Sequence, residues 1–135
     1  MNKDNKFQEF KNPNKIWALG SLHSNIESFQ SIKKYIFSNF AEGDKLIFLG
    51  NIIGFRNKSK EIISDVLELR FRLMAKFNLE PKDVVFLRGC YEELLDKSRE
   101  LHMSPNPLEL VDWMYSRGLD EILESYNISS SLVQL

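Results

Sequence analysis

The chain alternates between short apolar runs and longer stretches in which apolar residues recur every three or four positions. Ile16 to Leu19, Lys45 to Leu49 and Val84 to Leu87 are too short for helices and are bounded by turn signals, which predicts three buried strands. Ile26, Phe29, Ile32, Ile36 and Phe40 form a helical stripe after the first strand, with Ser24 and Glu27 at capping-box spacing before it. After the second strand and a loop from Gly50 to Lys58, a longer stripe of Ile63, Val66, Leu67, Phe71, Met74 and Phe77 lies opposite Lys60, Glu61, Asp65, Glu68, Arg72 and Lys76. From Tyr91 the pattern is helical to about Met103. Asn106 and Pro107 then supply an N-cap and a first helical residue, Gly118 closes that helix, and a last short helix runs from Leu119 to Tyr126.

This βαβαβα order predicts an α/β fold, a short parallel sheet with flanking helices and right-handed crossovers. Each predicted strand runs into a glycine, Gly20, Gly50 or Gly89, followed by a polar cluster. Parallel sheets collect ligands at the carboxyl ends of their strands, so Ser21, His23, Asn51, Cys90 and Tyr91 are expected to meet in one pocket. Three strands make a thin sheet that needs cover on both faces, supplied by the ends of this chain or by another chain.

With 135 residues the chain has room for one domain. Residues 1–15, rich in Asn and Lys and carrying Pro13, lack an apolar period and read as a flexible arm; 16–128 form the domain and 129–135 a serine-rich tail. Composition is ordinary, 43% apolar and 27% charged, and 18 basic against 19 acidic residues leave a formal charge of -1. That balance offers no broad electrostatic case for nucleic acid or an anionic membrane. No apolar stretch reaches bilayer length and the first segment is too polar for a secretory signal, so a cytoplasmic or other reducing soluble compartment is expected. The single cysteine, Cys90, has no internal partner, which fits that compartment.

Order and spacing of the junctions carry a resemblance. Ile16 to Asn25, with Gly20-Ser21-Leu22-His23-Ser24 after the strand, resembles the Gly-Asp-x-His-Gly signature of calcineurin-like metallophosphoesterases. Gly43 to Asn51 and the residues after it line up without gaps on that family's Gly-Asp-x-x-Asp-Arg-Gly segment, and Gly89-Cys90-Tyr91-Glu92 is similar to its Gly-Asn-His-Glu. Trp113, Gly118 and Leu123 to Tyr126 are similar to a stretch of bacterial members close to protein Ser/Thr phosphatases and dinucleoside tetraphosphatases. The match spans Ile16 to Tyr126 and implies a partial metallophosphoesterase-like fold.

It also implies a decayed site. Ser21 stands at a metal-binding aspartate, Asn51 at the aspartate that bridges both ions, Cys90 at a metal-binding asparagine and Tyr91 at the histidine acting as general acid; His23 alone keeps a ligand's identity. Gly54 and Phe55 replace an aspartate and a phosphate-binding arginine, with Arg56 one position late. Two divalent ions about 4 Å apart need anionic oxygens between them, and this set supplies none. No cofactor is therefore expected; the alternative is one divalent transition metal on His23 and Cys90.

The bland readings stand beside these. His23 reads as a vestigial ligand or phosphate donor, or as a histidine satisfied by local backbone. Cys90 reads as a thiolate near Arg88, or as a small buried residue filling vacated space. Arg56 and Arg88 cradle a phosphate, or make surface ion pairs. His102 reads as solvated. Ile52, Ile53 and Phe55 cover a closed cleft, or dock a protein partner or second copy that also covers the sheet edge; docking is the expectation. A dinucleotide-binding fold is disfavoured by the lack of Gly-x-Gly-x-x-Gly or a Walker lysine. The expected function is a decayed metallophosphoesterase-like domain serving as a binding or structural subunit, with a residual single-metal phosphoesterase and a non-hydrolysing phosphate sensor as alternatives.

Overall fold

A computed structural model describes residues 7–129; residues 1–6 of the expected arm and 130–135 of the expected tail lie outside it. The elements, in order, are β1 (Ile16–Leu19), α1 (Ile26–Asn39), β2 (Lys45–Phe48), α2 (Ser59–Phe77), β3 (Val84–Phe86), α3 (Cys90–Ser98), α4 (Pro107–Tyr115) and α5 (Leu119–Ser125), with 3-10 turns at Pro81–Asp83 and Leu101–Met103. The strands form one parallel sheet in the order β1-β2-β3. This is the expected α/β arrangement.

Register divides the strand residues between two faces. Trp17, Leu46 and Val84 share a row, as do Leu19, Phe48 and Phe86. Helices α1 and α2 cover this face: Phe29 of α1 packs on Phe48 at 6.4 Å, Phe40 stacks on Trp17, and Arg70 of α2 lies over Phe86. Helix α5 packs on α2 and α4, with its Leu119 and Ile122 and Met114 of α4 buried. On the opposite face Ala18, Ile47 and Val85 form one row. Beyond it the ladder continues, because Leu49 N–H donates to Leu19 O and Leu87 N–H to Phe48 O. Gly20, Leu49 and Leu87 therefore make a second row, and Leu49 and Leu87 are half exposed. Among the described residues the arm at Glu9, Phe10 and Lys11 borders this face at its Lys45 and Asp83 end, while Ala18, Leu49 and Leu87 are exposed and Ile47 and Val85 half-buried, whereas parallel sheets are ordinarily covered on both sides.

Several local readings change. Ser24 does not cap α1; Asn25 does, accepting from Ser28 N–H at 3.2 Å, while the Ser24 hydroxyl is buried against Ser59 at 2.9 Å. The buried stripe of α2 is Ile62, Val66, Leu69 and Leu73, and Phe71 is 63% exposed. The helix expected to run to Met103 stops at Ser98 and resumes as a 3-10 turn. The arm is anchored at its end, since Asn14 bonds the Glu42 and Gly43 carbonyls and the Lys15 carbonyl accepts from Lys45. No helix among the described residues is long and apolar enough to cross a membrane.

Candidate functional site

The three strand ends meet at a crescent built on Asn51. Its backbone adopts φ 52°, and its carbonyl accepts from both Leu22 N–H (2.9 Å) and His23 N–H (3.0 Å). Its side chain reaches the Ser21 hydroxyl at 3.4 Å and accepts from Tyr91 N–H at 3.3 Å. One residue thus joins all three junctions. Gly89 permits the approach, because a Cβ there would stand 2.2 Å from Asn51 N.

Glu92 completes the crescent. Its carboxylate accepts the N–H groups of Asn51 (2.8 Å), Ile52 (2.8 Å), Ile53 (3.2 Å) and Gly89 (2.8 Å). Backbone donors converging in this way would otherwise make an anion site; here the anion is the protein's own. The sequence signal was the spacing of Glu92 three residues after Gly89 at the head of α3, which is that of a helix-capping carboxylate.

Beside the crescent, three rings close on one another. His23 meets Tyr91 at 5.4 Å and Phe55 at 5.8 Å, and Phe55 meets Tyr91 at 5.1 Å between centroids. Gly54 fits beneath them because a Cβ there would lie 3.0 Å from His23 Nδ1 and 3.4 Å from the Tyr91 ring. The Tyr91 phenol is pushed above its ordinary pKa, first by burial and then by Cys90, so it remains a neutral group at neutral pH.

The expected site residues divide accordingly. Ser21, Asn51 and Tyr91 are brought together with His23, Tyr91 and His23 in ring contact and Ser21 exposed at the rim. His23 is not satisfied by local backbone: Nδ1 is buried without a hydrogen-bond partner, and the residue sits at φ 47°. Cys90 is not buried filler; it is exposed at the first turn of α3. Arg88 pairs with Glu93 at 3.0 Å and Asp96 at 2.9 Å, which raises its pKa and commits the guanidinium to carboxylates. Beside it a cavity of about 360 Å³ is bounded by Ile53, Ile63, Leu95, Arg99 and Tyr126. Arg56 is exposed, and its N–H donates to Glu121. Ile52 and Ile53 cannot form a docking surface, being only 4% and 3% exposed; their neighbour Phe55 is half exposed. His102 is exposed, as expected.

The donor set does not fit a pair of divalent ions. The oxygens of Ser21 and Asn51 are neutral, the Glu92 carboxylate is taken up by four backbone N–H groups, and His23 Nδ1 is buried against Gly54. Among the described residues no three His, Cys, Asp or Glu side chains group to hold a metal. Comparison with protein-family models, curated proteins and solved structures finds no match for this chain.

Proposed function

We propose that the chain is a metallophosphoesterase-like module without catalysis, acting as a binding or structural subunit. The observation that carries this reading is the aromatic cluster of His23, Phe55 and Tyr91, packed where the resembling motifs place a ligand, a phosphate-binding arginine and the general acid. A second observation supports the alignment itself. Ser24 and Arg56 fall where those motifs carry glycine, and they adopt φ 56° and 83°, conformations that favour glycine. On this reading the two positions keep a backbone suited to the motif's glycines while the side chains that perform its chemistry are replaced.

Binding then falls to surface that the chain leaves open. The sheet face on which Ala18, Leu49 and Leu87 are exposed and Ile47 and Val85 half-buried takes over the docking role that Ile52 and Ile53 cannot play. The test combines metal analysis of the purified protein with hydrolysis of p-nitrophenyl phosphate in manganese or zinc. The expected result is no stoichiometric metal and no turnover above buffer. Turnover that disappears in His23→Ala would instead establish a residual enzyme.

A further inference from the structure

The open sheet face has a size gradient that identifies its occupant, and we infer that it is a second copy of this chain, docked about a two-fold axis parallel to the strands. The inference rests on the docking role proposed above. On β1 the outward residues shrink from Ile16 through Ala18 to Gly20; on β3 they grow through Val85 to Leu87. Gly20 leaves open space, since a Cβ there would have nothing within 4 Å. Leu49 and Leu87 stand above it, 50% and 47% exposed.

A two-fold axis along the central strand turns one face onto the other, keeps strand direction and sets β1 over the partner's β3. Ala18 then faces Val85 and Gly20 faces Leu87 of the second copy, large into small at each edge. Ile47 and Leu49 lie on the axis and meet their own counterparts. At the amino ends Lys45 is paired within its own chain with Asp83 at 2.6 Å, and the arm residues Glu9 and Lys11 beside them carry opposite charges, so the approach of two copies brings no net charge together there. An axis perpendicular to the strands would place the Leu49 row over Lys45 instead. Two faces of this size with their rims bury on the order of 1,000 Å², the lower end for specific association, so the dimer dissociates at low concentration.

Sedimentation equilibrium tests this, with the mass expected to rise from 15.8 kDa toward twice that value as concentration increases. Gly20→Leu places a side chain in that space from a Cβ that meets nothing of its own chain within 4 Å, so it should leave thermal melting of the monomer unchanged and abolish the rise. Orientation is read in a Cys90→Ser background with a short thiol cross-linker, because facing sheets stand about 10 Å apart, beyond direct disulfide reach. Ile47→Cys should link to itself, and Ala18→Cys should link to Val85→Cys in mixtures more than either links alone. A constant monomer mass, or preferred Ala18→Cys self-linking, overturns the inference. In a monomer, a freely reactive Ile47→Cys thiol leaves the docking reading standing for a different partner; a protected one, covered by the chain's own residues, removes both.

Discussion

Positive φ at non-glycine residues is concentrated at the strand ends, where His23, Ser24, Asn51 and Arg56 all adopt it. For an ordinary L-residue this conformation costs about 1–2 kcal/mol. Arg56 makes the cleanest test, because its bond to Glu121 uses the backbone N–H that glycine retains. Arg56→Gly should raise stability by about 0.5–1 kcal/mol, net of glycine's larger unfolded-state entropy, seen as a higher urea midpoint. Ser24→Gly should gain less, since it also deletes the buried hydroxyl paired with Ser59. Glu92 is the opposite case. Glu92→Gln offers one oxygen where four N–H groups need two, and it turns an amide donor toward the others. Its urea midpoint should fall by the equivalent of about 2–3 kcal/mol, while a midpoint within error of the parent would deny the carboxylate its organising role.

The elements themselves were largely legible in the sequence. β1 spans the four residues that its apolar run marks, and β2 and β3 each stop one residue short of theirs. Helix α2 shows where periodicity fails. Apolar residues at 62, 66, 69 and 73 and at 63, 67, 71 and 74 make two overlapping stripes, and only packing against the sheet and α5 chooses between them. In the site, the meeting of the three junctions was legible but its closure was not. Whether Ile52 and Ile53 point inward depends on the turn set by Asn51 and held by Glu92, which no local pattern encodes. Charge pairing between elements was equally hidden, and Asp83 is the example with a pH signature. Burial pushes its carboxyl pKa up, yet the Lys45 ammonium, the Glu80 N–H and the nearby Lys82 outweigh that and hold it below the ordinary value. A depressed carboxylate contributes stability above its unfolded pKa of about 3.9, and that contribution is lost as pH falls through the lower folded value. Asp83→Asn should therefore cost about 3 kcal/mol at neutral pH, leaving Lys45 unpaired, and should flatten the decline in stability below about pH 4. Urea titrations at several pH values measure both effects; an unchanged acid limb would exclude Asp83 as its source.

At the scale of the whole molecule, the question is whether α3 to α5 belong to the same cooperative unit as the sheet. The contacts between them argue that they do. Phe55, in the loop after β2, reaches Gly118 between α4 and α5; Ser125 at the end of α5 accepts from Lys60 N–H in the first turn of α2; and Tyr91 of α3 packs on His23 from the β1 junction. Each tie crosses from the helical end to the βαβαβ part, so losing one part exposes apolar surface on the other. The two tryptophans report from opposite sides of this boundary. Trp17 lies in β1, its indole N–H bonded to buried Asp44 at 2.9 Å, and Trp113 lies on α4 under Arg117. With Trp113→Phe leaving the first signal and Trp17→Phe the second, each unfolding curve is read by fluorescence and by far-ultraviolet dichroism. Within each variant the two probes should give one midpoint and one slope. A fluorescence transition for Trp113 that precedes the dichroism change would show α3 to α5 unfolding separately, and would make the aromatic cluster a seam between two units rather than the centre of one.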